Sequence, residues 1–370
     1  MVELPAEAAP PEADAAPGCP HPRMAERVFG HKEAERTLLD AFNSGRMHHA
    51  WLIHGAQGIG KATLAWRAAR FLLSQEPPGS DALFAPPPSD SLDISPDHPI
   101  ARRVAALSEP RLFLLRRAWD AKTEKIATRI SVDETRRLKG FFQLASDENA
   151  MRVVIVDAAD EMNAAAANAL LKALEEPPER TVMLLISHQP SRLLPTIRSR
   201  CRGLRLAALS PEDHQAALTQ AGIAHDPALY ALSEGSVGVA ARLEAAGGPE
   251  LYANLVALFD TLPRLDRGRA AKLAEAAGAR GQDSRFEVTV GLLERLMARL
   301  ARTGATGAPP PEILPGEAAL LSRLAPDIAA GRRWAAQAQE LAARARRGRA
   351  VNLDPSALIL DICLGLDRGG

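Results

Sequence analysis

Four β-branched residues, Val153, Val154, Ile155 and Val156, follow one another with no polar position between them. A strand with one wet face alternates. A strand without alternation buries both faces, as in a parallel sheet covered by helices. The run ends at Asp157, and open α/β sheets hold their ligands at the carboxyl ends of their strands. An alanine-rich helix is expected next, over 163–175, stopped by Pro177 and Pro178. Two further apolar runs, 49–54 (HAWLIH) and 181–187 (TVMLLIS), read as parallel strands of the same sheet, with another near 203–206. Helical spacing places helices over 26–43, with Val28, Leu38, Leu39 and Phe42 on the apolar face, and over 64–73 and 193–197. Ser131-Val-Asp-Glu134 forms a capping box for a helix to about residue 144, with Lys122 to Lys125 in the turn before it.

Beyond 207 the pattern is helical throughout. Three short helices, 211–221, 227–233 and 237–246, form a small unit, and Gly247-Gly-Pro249 reads as a linker. Longer helices follow, including 286–302 and 332–347, with a Pro/Gly break over 304–315. The segment 75–99 is rich in Pro and Ser and reads as a loop. No stretch repeats with a solenoid period.

Composition narrows the picture. A chain of 370 residues is long for one domain, and its 4% aromatic content disfavours a β-sandwich. Net charge is zero, which gives no global signal for a nucleic-acid coat or a membrane surface. The three cysteines, Cys19, Cys201 and Cys363, are far apart and lack any CxxC spacing. That excludes a zinc ribbon or disulfide framework and fits a reducing cytoplasm. The first 23 residues are acidic and Pro/Ala-rich, without the basic start and apolar core of a signal peptide, and are expected to be disordered. No apolar run reaches the ~18–20 residues of a membrane span.

The candidate chemistry lies in GAQGIGKAT, directly after the 49–54 strand and before a helix. Gly55, Gly60 and Lys61 match G-x-x-x-x-G-K, and Gly58 lies between them. Glycines turn backbone N–H groups toward phosphates at a helix N-terminus, and the lysine adds a point charge. Asp157 is then the acid of a second strand that suits a Mg²⁺-nucleotide. One position departs: the residue after Lys61 is Ala62, where a hydroxyl should reach the metal. Thr63 is about 100° further round the helix, a poor substitute.

Together, GAQGIGKAT, VVIVDAADEM, NAAAANALLKALEEPP and PSRLLPTIRSRC resemble the AAA+ clamp-loader ATPases of the bacterial DNA polymerase III holoenzyme. The resemblance covers about 49–202. It implies an α/β AAA+ P-loop domain (24–207), a small helical lid (208–247) and an all-α collar (248–370) through which subunits form an open ring. It implies gamma/tau and delta subunits as partners, with the sliding clamp and primed DNA as indirect ones, in a cytoplasmic hetero-oligomer. In that family the arginine of Ser-Arg-Cys reaches the ATP of a neighbour, so Arg200 would be an arginine finger given in trans. Active members also carry Asp-Glu at the end of the central strand. Here Ala158 follows Asp157, and Asp160 and Glu161 come later. Gly235-Ser-Val-Gly238 stands where a lid arginine is expected, with Arg242 a turn further on. Relatives carry a four-cysteine zinc module where this chain has its cysteine-free 75–99 segment.

The resulting expectation is a stator subunit that does not hydrolyse ATP, holds ATP or ADP weakly or not at all, and binds no zinc or other metal. It would contribute to DNA-directed DNA polymerase activity only by association. Alternatives stand beside it: an active AAA+ ATPase, or a P-loop small-molecule kinase. At residue level, Ser187 is either a polar sensor or a strand-end cap, and Asp157 is a metal ligand or a plain anchor. Arg200 is a finger or a surface ion-pair partner, Glu175 and Glu176 end a helix, and Cys201 is a small buried hydrophobe. The arginines of 332–349 make a solvated helix face or touch DNA.

Overall fold

The computed structural model describes residues 11–75, 88–143, 150–279 and 283–366. They form two compact units: one runs through Gly222 and includes Gly235–Gly238, the other comprises Ile223–Glu234 and the chain from Val239.

The first unit contains α1 (Lys32–Asn43), β1 (Ala50–His54), α2 (Lys61–Ser74), α3 (Pro99–Ala105), β2 (Leu112–Arg116) and a two-stranded hairpin of β3 (Trp119–Asp120) and β4 (Lys125–Ile126). It continues with α4 (Val132–Gln143), β5 (Arg152–Asp157), α5 (Ala164–Glu175), β6 (Thr181–Ser187), α6 (Pro195–Arg198), β7 (Arg202–Arg205) and α7 (Pro211–Gln220). Five strands make one parallel sheet in the order β2-β5-β6-β1-β7. Successive side chains of a strand point to opposite faces, and here both faces are dry. Val153 and Ile155 of β5, with Leu184 and Ile186 of β6, pack beneath α1 and α2 on Leu38, Leu64, Trp66 and Leu72. Val154, Val156, Met183 and Leu185 pack on the other side, on Leu138 of α4 and on Leu170 and Leu174 of α5. This is why the central strands read as unbroken apolar runs.

Caps fix the helix starts. The Ala166 N–H donates to Asn163 Oδ1 (2.8 Å). The Glu134 N–H donates to Ser131 Oγ (3.3 Å), while the Glu134 carboxylate turns outward to Arg137 (2.9 Å), so only half of the capping box closes.

The structure refines these expectations. The helix predicted over 26–43 begins only at Lys32, after Gly30 at φ +70°. The tail predicted to be disordered over 1–23 forms turns from residue 11 on, held by ion pairs of Glu12 and Asp14 with Arg116; residues 1–10 lie outside the described residues. Of the 75–99 loop, 76–87 lie outside them too, whereas Ser89 and Asp93 are tied to Asn43 (3.0 Å) and Arg67 (2.5 Å). The edge strand β2 arises where the pattern singles out nothing, because its short apolar run is only half-buried.

The second unit is helical: α8 (Pro227–Ser233), α9 (Val237–Ala245), α10 (Gly248–Phe259), α11 (Arg267–Ala277), α12 (Asp283–Thr306), α13 (Glu317–Leu324), α14 (Ile328–Ala350) and α15 (Pro355–Leu366). The first residues of α9 group with the P-loop unit. The stretch 208–247, expected as a separate lid, is therefore shared between the two units. Gly247-Gly-Pro249 is not a linker. Gly247, at φ +69°, caps α10, and Pro249 sits in the first turn, where its missing N–H costs nothing. Helices α12 and α14 touch at glycine: a Cβ on Gly304 would lie 2.5 Å from the Asp327 carbonyl oxygen. Fully buried Glu317 accepts from Arg299 Nε (2.8 Å), from the Ile313 N–H (2.7 Å) and from the Tyr252 hydroxyl. A buried charge needs such partners.

Candidate functional site

The loop between β1 and α2 leaves the sheet at Gly55, whose N–H donates to the Ser187 carbonyl at the end of β6 (3.3 Å). Gly55, Gly58 and Gly60 all have positive φ, a conformation side chains resist. At Gly55 a Cβ would also meet the Leu206 carbonyl at 2.4 Å. The backbone is thus shaped as the motif requires.

Every carbonyl of 55–59 accepts from a donor of this chain. Lys61 Nζ donates to Gly55 (2.9 Å) and to Ala56. Ser236 Oγ donates to Gln57 (2.7 Å), the Gly238 N–H to Gly58 (2.9 Å), and His31 Nε2 to Ile59 (2.6 Å). Gly238 is essential to this closure, since a Cβ there would stand 2.9 Å from Gly58 Cα. Where the resemblance leads one to expect a lid arginine, a glycine lets the chain lie directly on the loop. His31 and Ser236 were not legible as site residues, because neither belongs to a motif and only folding brings them to the loop.

Charge at the site is governed by burial. Lys61 is 3% exposed, and desolvation lowers its pKa to about 8, against the pull of Asp157 and Asp160. Asp157, also buried, is pushed up to about 7, first by desolvation and then by Asp14 and Glu161, with Lys61 and Arg116 opposing. The acids after it are occupied. Asp160 accepts from the backbone N–H groups of His188 (2.9 Å) and Gln189 (3.2 Å), and Glu161 pairs with Arg117 (2.7 Å). Ser187 Oγ is fully buried and has no hydrogen-bond partner among the described residues, so it does not cap the strand.

These residues do not fit a Mg²⁺-nucleotide. Ala62 offers no hydroxyl, Ala158 is a buried methyl, and Asp157 is a carboxyl that burial drives toward its neutral form. Thr63 is half-buried one position beyond. No group of three or more His, Cys, Asp or Glu placed to hold a metal occurs among the described residues.

A second feature lies on the opposite face of the sheet from α2. Arg200 follows α6, donates to the Thr196 carbonyl (3.0 Å) and pairs with Glu175 at the end of α5 (2.8 Å), with its side chain still 36% exposed. Glu175 therefore does more than end a helix. Beside it Cys201 packs against the core, and burial pushes its thiol up to about 11, so it stays protonated and unreactive at neutral pH.

A covered parallel sheet, a glycine loop with its lysine at the head of α2, and an arginine after the last crossover define a P-loop module of AAA+ type. Residues 30–210 match the family model described as DNA polymerase III, delta subunit. The DNA polymerase III subunit delta' of Pseudomonas aeruginosa is 40% identical over 212 residues, 56% of this chain and 59% of that one. A DNA polymerase III subunit gamma/tau of Mycobacterium tuberculosis is 32% identical over 215 residues, 57% of this chain and 34% of that one. The matches thus span less than two thirds of either relative. The solved structure of a DNA polymerase III gamma subunit-related protein from Thermotoga maritima covers 90% of this chain and 99% of its own, at 16% identity and a TM-score of 0.41. A likeness that loose carries no functional weight. Among the described residues no helix is long and apolar enough to cross a membrane.

Proposed function

We propose that this chain is the delta-prime type of subunit in a DNA polymerase III clamp loader, a stator that does not hydrolyse ATP itself. It works in the cytoplasm beside gamma/tau and delta subunits, in a hetero-oligomer that places the sliding clamp on primed DNA. It offers Arg200 in trans to the ATP of a neighbouring subunit. The observation that carries this reading is a contrast within one module. The nucleotide loop has lost its metal hydroxyl and second carboxylate, while the Ser-Arg-Cys arginine is intact and reaches solvent.

A guanidinium stays charged at any working pH and forks toward phosphoryl oxygens, where charge builds as the bond breaks. Arg200 can swing to a neighbour at small cost, because it must give up a half-exposed pair with Glu175 and one exposed hydrogen bond to the Thr196 carbonyl. The chain's own loop, its carbonyls tied to Lys61, Ser236, Gly238 and His31, serves as a rigid part. Gly55, Gly58, Gly60, Lys61, Thr63 and Asp157 retain at most weak ATP or ADP binding without turnover, and no zinc is held.

The test is ATP turnover by a loader reconstituted with gamma/tau and delta subunits, clamp and primed DNA. Arg200→Ala should cut turnover about tenfold or more, roughly 1.4 kcal/mol at the barrier. Normal turnover in that variant would leave Arg200 a structural residue. Turnover by the isolated chain, abolished by Lys61→Ala, would favour an active ATPase instead.

A further inference from the structure

Residues 11–26 precede the segment shared with the family, yet they are bound to the P-loop module at both ends. At the helix end, Arg67 donates to the Glu26 carbonyl (2.5 Å), and Arg70 donates to those of Arg23 (2.7 Å) and Ala25 (2.6 Å). Both arginines belong to α2, and both are buried. His21 lies edge-on to Trp66 of the same helix. Arg23 reaches back to Glu12 (2.6 Å) and to the Ala105 carbonyl (2.9 Å). At the sheet end, Glu12 (2.8 Å) and Asp14 both grip Arg116, the last residue of β2. His21 Nε2 stands 3.1 Å from Glu12 and 3.2 Å from Asp14, whose side chain is 2% exposed.

The place where the segment ends gives it meaning. Arg116 is the register partner of Asp157, so the two acids lie at the carboxyl edge of β2 and β5, beside the candidate site. That edge is where a parallel sheet receives its ligand. Arg116 is a cation that could meet phosphate there, and it is already neutralised by two carboxylates of the same chain. Asp14 adds negative charge next to Asp157, in keeping with its part in raising that carboxyl. An incoming phosphate would meet repulsion and an occupied arginine.

We propose that residues 12–26 are an intramolecular strap that covers the carboxyl edge of β2 and β5 and keeps phosphate-bearing ligands away from Lys61 and Asp157. The strap works whether or not the chain sits in a loader. Its occupant is part of the chain itself, and its latch is the Glu12–Asp14–Arg116–His21 cluster.

The experiment uses the full chain carrying Glu12→Ala with Asp14→Ala, and in parallel Arg23→Ala with His21→Ala, which removes the partners of the acids within the strap and its tie to Ala105 but keeps both carboxylates. Hydrogen exchange over 12–25 reports strap release, and calorimetric titration with metal-free ADP reports ligand access. Release should speed exchange and tighten ADP binding at least about tenfold over wild type, or about 1.4 kcal/mol. The gain should vanish when Lys61→Ala is added. Faster exchange with unchanged affinity, including no binding in either protein, would overturn the proposal, as would unchanged exchange in both variants. If circular dichroism shows the Glu12/Asp14 variant unfolded, the same two outcomes are read from the Arg23/His21 variant. ATP hydrolysis by a released variant would sink the silent-stator reading while leaving the strap in place, so the two fail separately.

Discussion

At Asp157 burial outweighs every charge nearby, and this has a measurable sign. Its folded pKa, about 7, lies above the ordinary 3.8, so the folded chain holds the extra proton between those values. Stability at this residue is therefore greatest at low pH and falls as pH rises from about 4 through 7. Lys61 acts the other way: its folded pKa is about 8 against 10.5, so its cost fades as pH climbs above 8. Asp157→Asn should accordingly gain stability relative to wild type at pH 8 compared with pH 5, by on the order of 2 kcal/mol. Urea unfolding at the two pH values checks this, and equal shifts at both would mean that Asp157 titrates normally. Glu175 offers a second residue-scale test. Its pair with Arg200 is half-exposed on both sides, and such pairs contribute about 0–1 kcal/mol. Glu175→Ala should thus change loader turnover by no more than about fivefold, against tenfold or more for Arg200→Ala. A loss from Glu175→Ala as large as that from Arg200→Ala would mean that the carboxylate positions the finger.

Helices show where a single position carries an element. In α12 two glycines have opposite surroundings: Gly291 meets nothing within 4 Å, while a Cβ on Gly304 would press on the Asp327 carbonyl and on Gly331. Gly291→Ala should stabilise by about 0.5–1 kcal/mol through helix propensity. Gly304→Ala should destabilise by about 1–3 kcal/mol, because α12 and α14 must move apart. Thermal unfolding of the two variants decides the matter, and a shared sign would refute the close approach. At the other end of the size scale, the Gly238 contact lets 235–238 close on the loop, so Gly238→Arg should not restore a lid arginine. It should disrupt 57–60, seen as faster hydrogen exchange there; unchanged exchange would show that the loop tolerates the side chain.

The chain comprises a P-loop unit with Ala62 after its lysine and a helical unit that holds the buried Glu317 cluster, and the function proposed above gives the first its whole-molecule test. The isolated chain should therefore show no Mg²⁺-dependent ATP turnover above buffer at any concentration used for the assembly. A rate that scales with chain concentration and disappears in Lys61→Ala would contradict that expectation. Zinc addition should leave its melting temperature unchanged, since the chain carries only Cys19, Cys201 and Cys363, far apart in sequence. A zinc-dependent rise would require ligands outside the described residues.

The sequence by itself determined the parallel sheet, the P-loop, the crossover helix and the arginine motif. Each is written in consecutive residues: unbroken apolar runs need both faces covered, and glycine spacing needs a turn at a helix start. It also determined what Ala62 and Ala158 cannot do, since a methyl has no lone pair to offer a metal. The tertiary structure alone decided the rest. Edge strand β2 could not be read because a short half-buried run has no period of its own. The helix expected from 26 starts at Lys32 because Gly30 turns the chain and Arg67 and Arg70 claim the carbonyls before it. His31, Ser236 and Arg116 reach the site from three separate stretches, and Asp14 reaches Arg116 across 102 positions. Contacts of that range leave no local pattern, because what selects them is burial of charge beside a partner, and burial exists only once the chain has folded.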